Sequence, residues 1–229
     1  MGAVERVQSD LRVPGRVYRD LVNSTVPKVT VQRLPVYLRC LESLSPGQEH
    51  VSSNQLATLA GVNPAKVRKD LSFLGTLGVR GVGYDAEHLR FQIRAELGLE
   101  REWPVVIVGI GNLGRALANY AGFGERGFDT VGLFDVDPAK VGSKVDGMVI
   151  EPLEDLERSV RSTGALIGLV TTPAVAAQET AETMAAAGIR SILNFAPTVI
   201  KAPEGVEVRR VDLSTELQVI SFYLHRSSE

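Results

Sequence analysis

Residues 105–114 of this 229-residue chain are Val-Val-Ile-Val-Gly-Ile-Gly-Asn-Leu-Gly. Four consecutive β-branched residues without a polar interruption are typical of a buried strand in a parallel sheet. Gly109, Gly111 and Gly114 then follow the spacing Gly-x-Gly-x-x-Gly. Glycines at this spacing allow a tight turn, close approach of a pyrophosphate, and packing of the next helix on the strand. We expect residues 115–120 to belong to that helix, whose N-terminal N–H groups favour phosphate.

A second β-branched strand, predicted at residues 130–135, ends at Asp135, 21 residues after Gly114. A carboxylate about 20 residues beyond the glycine loop accepts hydrogen bonds from the ribose hydroxyls and repels a 2′-phosphate. Val136 and Asp137 come next, so no arginine stands there to hold such a phosphate. The pattern predicts NAD(H) rather than NADP(H). The alternative is that Asp135 only caps an Asp-Val-Asp-Pro turn.

Composition and length indicate a soluble globular protein of one or two domains, with 44% hydrophobic and 23% charged residues. No apolar run approaches the roughly 20 residues of a membrane span, and no signal peptide heads the chain. We therefore expect a cytoplasmic protein without a membrane partner. Cys40 is the single cysteine, which excludes an intrachain disulfide, and its apolar neighbours predict a buried thiol.

Charge is distributed unevenly along the chain. Residues 1–95 carry 13 Lys and Arg against 8 Asp and Glu, whereas residues 96–229 carry 12 against 19. A basic N-terminal part joined to an acidic C-terminal part suggests that only the first meets an anionic polymer.

The N-terminal part divides into a tail and a compact helical domain. Residues 1–27 have no sustained periodicity, and we expect a mobile tail. Residues 28–97 are predicted to form a winged helix-turn-helix domain, because two helices joined by a Gly-containing turn precede an Arg between glycines. Its predicted elements are helices at 30–44, 55–60, 64–74 and 88–97, and a hairpin wing at 78–84.

Basic and hydroxyl side chains of this domain are candidates for DNA contacts. We predict that arginine on the second helix of the pair reads guanine and that lysine contacts phosphate; the alternative is an ordinary solvated face. The candidates are Ser53, Lys66, Arg68, Lys69, Ser72 and Arg80. Asp70, on the same helix, would repel DNA if it pointed outward, so we expect it to pair with a local base or a cap.

From residue 104 onward, strands and helices alternate, which predicts a Rossmann-type α/β domain at 104–211 with helices on both faces of a parallel sheet. Strands are predicted at 105–109, 130–135, 148–150, 165–170, 190–195 and 208–211, and helices at 113–121, 153–161 and 175–187. Ligands bind such sheets just beyond the strand ends. The candidate cofactor residues are Gly109, Gly111, Asn112, Leu113, Gly114, Tyr120, Asp135, Thr171, Thr172, Pro173, Asn194 and Phe195.

Residues 212–229 contain the last predicted helix, at 213–226. Leu213, Leu217, Ile220 and Leu224 form one apolar stripe, and further apolar residues lie on other faces. A helix with apolar residues over so much of its circumference needs more than one packing partner. It is either sandwiched within its own domain or inserted into a second subunit.

A winged helix-turn-helix followed by an NAD-type Rossmann domain resembles the Rex family of redox-sensing transcriptional repressors. The resemblance spans the chain from about Lys28 to the C-terminus. Its most specific motif is Val-Arg-Lys-Asp-Leu-Ser-Phe-Leu-Gly at 67–75, followed by Arg-Gly-Val-Gly-Tyr at 80–84. Tyr-Leu-Arg at 37–39, Phe-Asp-Val-Asp-Pro at 134–138 and Ile-Leu-Asn-Phe-Ala-Pro at 192–197 also match.

The resemblance implies a homodimer that binds a pseudo-palindromic double-stranded DNA operator, with NADH releasing the DNA and NAD⁺ permitting binding. It also implies that the C-terminal helix is exchanged between subunits. A switch would link Tyr120 near the nicotinamide to Arg39 and to Asp212 of the partner. Relatives often carry an aromatic residue after that aspartate. Here the residue is Leu213, which puts a ring contact with nicotinamide in doubt.

Two other functions remain open: an NAD-dependent dehydrogenase with an accessory N-terminal domain, and a CoA- or nucleotide-binding module without a DNA function. A dehydrogenase needs a general acid or base near the nicotinamide. None of the histidines, His50, His88 and His225, lies in a predicted strand-end loop, and no residues are left for a substrate domain. We therefore expect no enzymatic activity and no bound metal.

Overall fold

The computed structural model describes residues 26–76 and 78–227. The chain divides between Glu100 and Arg101 into two compact units, each with its own hydrophobic interior. Nearly all of the predicted mobile tail, residues 1–27, lies outside the described residues.

The N-terminal unit is helical, with one short antiparallel pair of strands. Its elements are α1 (Lys28–Val31), α2 (Leu34–Glu42), β1 (His50–Val51), α3 (Ser53–Ala60), α4 (Pro64–Ser72), β2 (Tyr84–Asp85) and α5 (Ala86–Glu96).

The prediction of one helix at 30–44 is wrong, because the structure has two helices there, α1 and α2. Pro35 lies in the first turn of α2. Proline has no N–H group to donate to the turn before it, so the helix begins at this point rather than continuing from α1.

The helix-turn-helix pair α3 and α4 is present, and polar side chains define where each helix begins. The Ser52 hydroxyl accepts from the Gln55 N–H at 3.1 Å, and the Asn63 Oδ1 accepts from the Ala65 N–H at 2.7 Å. Between the helices, Gly61 adopts a left-handed conformation (φ 65°) that ends α3. Beyond α4, the predicted hairpin wing at 78–84 is present only as an isolated bridge between Val79 and Gly83, and Tyr84 pairs instead with Val51 of β1.

Asp70 of α4 is 2% exposed and accepts hydrogen bonds from three side chains. The Thr30 hydroxyl donates at 2.8 Å and the Tyr37 hydroxyl at 2.7 Å. The Arg33 guanidinium donates twice, from Nε at 2.6 Å and from a terminal nitrogen at 2.8 Å. Of the two expected arrangements, a local base or a cap, the structure shows pairing with a base, although Arg33 lies 37 residues away in the sequence. The carboxylate ties α4 to α1 and α2.

The electrostatics of this cluster favour the charged pair. Burial raises the pKa of Asp70, but the hydrogen bonds from Arg33, Tyr37 and Thr30 outweigh burial and hold that pKa below its ordinary value. The hydrogen bond to Asp70 raises the pKa of Arg33, and burial followed by the Asp70 contact raises the pKa of Tyr37.

The C-terminal unit is a seven-stranded sheet in the order β5-β6-β4-β3-β7-β8-β9. Its strands are β3 (Trp103–Val108), β4 (Phe128–Asp135), β5 (Lys144–Val145), β6 (Met148–Pro152), β7 (Ile167–Val170), β8 (Ser191–Asn194) and β9 (Glu207–Arg210). Its helices are α6 (Asn112–Ala118), α7 (Leu156–Thr163), α8 (Ala177–Ala187) and α9 (Leu213–Ser227). All pairs are parallel except β5 with β6.

The six predicted strands are all present, and the sheet separates two apolar layers. Val106 and Val108 of β3 belong to one layer, and Val105 and Ile107 belong to the other. This double burial explains the uninterrupted β-branched run of β3. The predicted helices at 153–161 and 175–187 each begin instead with a 3₁₀ turn, at Leu153–Asp155 and Ala174–Ala176. Strand β5 was not predicted, because two residues carry too short a pattern.

The last helix, α9, has no buried residue along its 15 residues. Its exposed apolar side chains are Leu213, Leu217, Val219, Ile220, Phe222, Tyr223 and Leu224. The alternative in which its own domain sandwiches this helix is therefore wrong. Among the described helices, none combines the length and apolar character that crossing a membrane requires.

We predict that Asp70→Asn destabilises the N-terminal unit at pH 7 by about 2–3 kcal/mol, because Arg33 loses its carboxylate and buried donors lose an acceptor. The pKa of Asp70 is lower in the folded state than in the unfolded state, where it is about 3.9. The ionised carboxylate therefore stabilises the fold fully above the unfolded-state pKa, and this contribution is lost as pH falls through the folded-state pKa. Urea unfolding at neutral pH and near pH 3 measures both effects. Glu42→Gln, at an exposed position of α2, is the control and should change stability by less than about 0.5 kcal/mol. An equal effect of the two substitutions would contradict the role of Asp70.

Candidate functional sites

The glycine loop follows β3, and each of its glycines meets a different requirement. Gly109 has φ 99°, and a Cβ on it would lie 2.8 Å from the Thr172 nitrogen. A Cβ on Gly114 would lie 2.2 Å from the Gly109 carbonyl oxygen, so α6 packs directly on the loop. A Cβ on Gly111 would meet no atom within 4 Å. The middle glycine thus borders open space, which allows a ligand to approach the protein backbone closely.

Three adjacent strand ends converge at this loop. The Gly109 N–H donates to the Phe134 carbonyl at 2.8 Å, and the Thr171 N–H donates to the Val108 carbonyl at 3.0 Å. The Thr171 hydroxyl also donates to the Gly109 carbonyl at 2.7 Å. Strand β3 lies between β4 and β7 in the sheet. The chain continues from β3 to β4 on one side and later adds β7 on the other side, so the loop after β3 lies where the strand order reverses. Open α/β sheets bind ligands at such a point.

Asp135 ends β4 beside the loop and is 5% exposed. Its Oδ2 accepts from the Ile110 N–H at 2.7 Å and from the Lys140 ammonium at 2.9 Å, and its Oδ1 accepts from the Asp137 N–H at 2.9 Å. Burial raises the pKa of Asp135, but these hydrogen bonds outweigh burial and lower it overall. The carboxylate is therefore ionised and holds the glycine loop in place. Sequence reasoning missed Lys140, although an ammonium group five residues beyond the acid was a detectable signal.

The loop after β7 carries a buried hydroxyl group. The Thr172 Oγ1 is buried and has no hydrogen-bond partner in the described residues. Buried hydroxyl groups are nearly always hydrogen-bonded, so this group invites a polar ligand atom. With the open space at Gly111 and the carboxylate of Asp135, it forms a set of groups that fits a dinucleotide lying across the strand ends. Asn112 and Leu113 open α6 in the same place, and Pro173 follows Thr172.

Asn194 and Phe195 lie beyond β8, and the structure gives both of them other contacts. The Asn194 amide donates to the Thr198 carbonyl at 2.9 Å and accepts from the Ala196 N–H at 2.8 Å. Phe195 packs against the apolar layer that contains Ile107. Cofactor contact by either residue stays a prediction.

The basic surface of the N-terminal unit lies on α4. Arg68 donates to the Ser53 hydroxyl at 3.0 Å, which brings the second helix of the pair to the start of the first. Val67, Asp70 and Leu71 are buried, so the basic side chains of the helix lie on its outer face. The exposed candidates are Lys66, Arg68, Lys69, Ser72 and, in the wing, Arg80.

The three predicted switch residues lie in different places. Arg39 is exposed on α2 of the N-terminal unit. Tyr120 follows α6, is 53% exposed and contacts Phe123 edge-on at 5.1 Å between ring centroids. Asp212 precedes α9, accepts from the Ser214 N–H at 3.0 Å and pairs with Arg210. A hydrogen bond from the Ser214 side chain is the main reason that the pKa of Asp212 falls to about 2.

Comparison with known proteins gives the family. Redox-sensing transcriptional repressor Rex from Streptomyces griseus subsp. griseus is 54% identical over 216 residues, which cover 93% of this chain and 85% of that protein. Rex from Syntrophomonas wolfei is 46% identical, over 87% of this chain and 95% of that protein. The chain belongs to the Rex family. The predicted resemblance is thereby confirmed.

Solved structures and family models agree with membership of the Rex family. The crystal structure of RSP in complex with beta-NAD+ and operator DNA is 34% identical, with a TM-score of 0.83 over 90% of this chain and 95% of that chain. RSP in complex with beta-NADH is 33% identical, with a TM-score of 0.80. A "CoA binding domain" model matches residues 100–198, and a "Putative DNA-binding protein N-terminus" model matches residues 25–72. The predicted fold class, an N-terminal DNA-binding domain with a Rossmann-like parallel sheet domain, is confirmed.

We predict that Gly114→Ala destabilises the sheet domain by about 2–3 kcal/mol, because the new methyl group meets a backbone carbonyl that cannot move aside. Gly111→Ala is the matched control. It adds the same methyl group to open space and should cost less than about 1 kcal/mol. Thermal and urea unfolding of the two variants measure the difference, and equal destabilisation would contradict the assigned roles.

Proposed function

We propose that this Rex-family chain is a redox-sensing transcriptional repressor that binds operator DNA and releases it when NADH binds the sheet domain. One observation carries this function: the same chain joins a helix-turn-helix with an exposed basic second helix to a glycine loop bordered by Asp135. RSP, a relative with the same fold, has been crystallised with NAD⁺ and operator DNA and with NADH.

On the DNA side, α4 supplies both kinds of contact that an operator needs. Arg68 retains donors beyond the one held by Ser53, so its guanidinium can read a guanine edge in the major groove. Lys66 and Lys69 are exposed and contact phosphates. Ser53 and Ser72 are further phosphate contacts, and Arg80 in the wing reaches the adjacent groove. Because the ligand is DNA, we place the protein in the cytoplasm.

On the cofactor side, NAD(H) fits better than CoA, although a CoA-binding family model matches this domain. An ionised Asp135 at the strand end accepts ribose hydroxyls and repels a phosphate on that ribose, and CoA carries such a phosphate. The open space at Gly111 admits the pyrophosphate, and Gly109 and Gly114 allow the loop its close packing. Thr172 offers the remainder of the dinucleotide a hydroxyl that has no partner among the described residues. We assign the chain no enzymatic activity.

The working form is a homodimer in which α9 of each subunit packs on the other. A helix with seven exposed large apolar side chains and no buried residue is unfavourable in water unless a partner covers it. A dimer with two-fold symmetry also matches a pseudo-palindromic operator with two half-sites.

We predict that Ile220→Asp, which places a charge in the middle of the α9 stripe, weakens dimerisation more than 100-fold, since an unpaired buried charge costs about 3–5 kcal/mol. Gln218→Asp, which adds the same charge off that stripe, is the control and should leave a dimer. Sedimentation equilibrium measures the masses. A dimer of parental stability from Ile220→Asp would exclude α9 as the interface.

Coupling between the two ligands runs through Tyr120, Asp212 and Arg39. Reduced and oxidised nicotinamide differ by one positive charge, and Asp212 is ionised at any physiological pH. An ionised Asp212 can attract the oxidised ring or pair with Arg39 of the other subunit, but it cannot favour both fully. NADH binding therefore alters the arrangement of the DNA-binding domains, with a coupling of about 1–3 kcal/mol.

Titration of the protein–operator complex with NADH tests the function. We expect NADH to weaken operator binding about 5–150-fold and operator DNA to weaken NADH binding by the same factor, as linkage requires. Fluorescence anisotropy of labelled operator and fluorescence of the reduced nicotinamide give the two affinities. If NADH binds and operator affinity stays constant, the redox-sensor function is wrong.

Three variants locate each part of that response. Arg68→Ala should lose about 1–3 kcal/mol of specific DNA binding and keep NADH binding. Gly111→Ala should bind operator normally and ignore NADH, because its methyl group fills the space for the pyrophosphate. The Tyr120→Phe variant should bind each ligand alone, but NADH should weaken its operator binding less than in the parent. Release of DNA at the parental NADH concentration would exclude Tyr120 from the switch.

A further inference from the structure

Lys140 lies in the turn after β4, where the Asp137 side chain accepts from the Ala139 N–H at 3.0 Å and its carbonyl accepts from the Lys140 N–H at 2.9 Å. This turn folds the lysine side chain back onto the strand end. The Lys140 Nζ is 2.9 Å from the Asp135 Oδ2 and 3.8 Å from an oxygen of Asp137, and the side chain remains one-third exposed. An ammonium group therefore stands at the carboxylate to which we assign the adenosine ribose.

Hydrogen-bond capacity shows what this contact does to Asp135. Each carboxylate oxygen has two lone pairs. The Oδ2 uses both, for the Ile110 N–H and for Lys140, and the Oδ1 uses one for the Asp137 N–H. One acceptor position is left for a ribose that offers two hydroxyl donors. The second hydroxyl either displaces Lys140 from the Oδ2 or accepts a hydrogen bond from it. Lys140 therefore decides how the carboxylate receives the ribose.

We propose that Lys140 is a specificity-determining residue of the ribose subsite, a cation able to pair with a 2′-phosphate but kept occupied by Asp135. This inference rests on the proposed function, because it assumes that NADH binds at the glycine loop. With Asp135 present, two carboxylates and one ammonium leave the cluster with a net negative charge that repels a 2′-phosphate. Without Asp135, the ammonium is free to pair with that phosphate, and the chain accepts NADPH.

The test is a double-mutant cycle in the full-length protein, with NADH and NADPH binding followed by nicotinamide fluorescence. Asp135→Ser, which retains a hydroxyl acceptor for the Ile110 N–H, should raise NADPH affinity about tenfold relative to the parent, as expected for a new charge-assisted contact. Adding Lys140→Gln should remove most of that gain. Adding Lys144→Gln instead, at an exposed lysine of β5, should leave the gain intact.

A single variant keeps the inference testable if Asp135→Ser does not fold. In the parental background, Lys140→Gln should widen the preference for NADH over NADPH, because two carboxylates then face the 2′-phosphate without an ammonium. Unchanged preference in Lys140→Gln, or equal NADPH affinity of Asp135→Ser with and without Lys140, would overturn this inference alone. Failure of the parental protein to bind NADH would overturn the proposed function and this inference with it.

Discussion

A carboxylate that leaves water stays charged only when hydrogen-bond donors surround it, and both functional elements of this chain depend on that constraint. Asp135 collects the Ile110 N–H, the Asp137 N–H and Lys140, and so joins the glycine loop after β3 to the turn after β4. Asp70 accepts hydrogen bonds from Thr30, Arg33 and Tyr37, and so fixes α4, the helix with the exposed basic face, to α1 and α2. If the helix or the loop moved away, its acid would lose hydrogen-bond donors and remain as a buried, unpaired charge. The two acids therefore specify position as well as contributing to stability.

The two elements held in this way are also the ones to which the proposed function assigns the ligands. A loop whose first and third glycines are packed against backbone has little freedom, and its middle glycine faces open space. A helix whose aspartate and apolar side chains are buried presents its remaining positions outward in a fixed register. Binding sites on elements of this kind are preorganised, so a ligand meets groups that are already in position. The Thr172 hydroxyl is the exception, because it has no hydrogen-bond partner within the described part of the chain.

The C-terminal helix illustrates the opposite situation, in which a single chain does not cover its own apolar side chains. The apolar residues of α9 remain exposed, whereas those of the sheet are covered on both faces. In the proposed dimer, the same helix supplies Asp212 at its start and an apolar surface along its length. Dimerisation and signalling would then share one element, and a change at the nicotinamide would act on the subunit arrangement that sets the separation of the DNA-binding domains.

The sequence by itself determined the architecture and pointed to the candidate sites, because both follow from short-range patterns. The run at 105–114 predicted a buried strand and its loop, and the caps at Ser52 and Asn63 predicted the two helices. What the sequence did not determine is which side chains meet across long separations. The partners of Asp70 lie 33 to 40 residues away, and Thr171 bonds a carbonyl 62 residues before it. Such contacts depend on how helices and strands pack, so only the tertiary structure decided which side chains hold Asp70, that Asp135 is already occupied by Lys140, and that α9 remains uncovered.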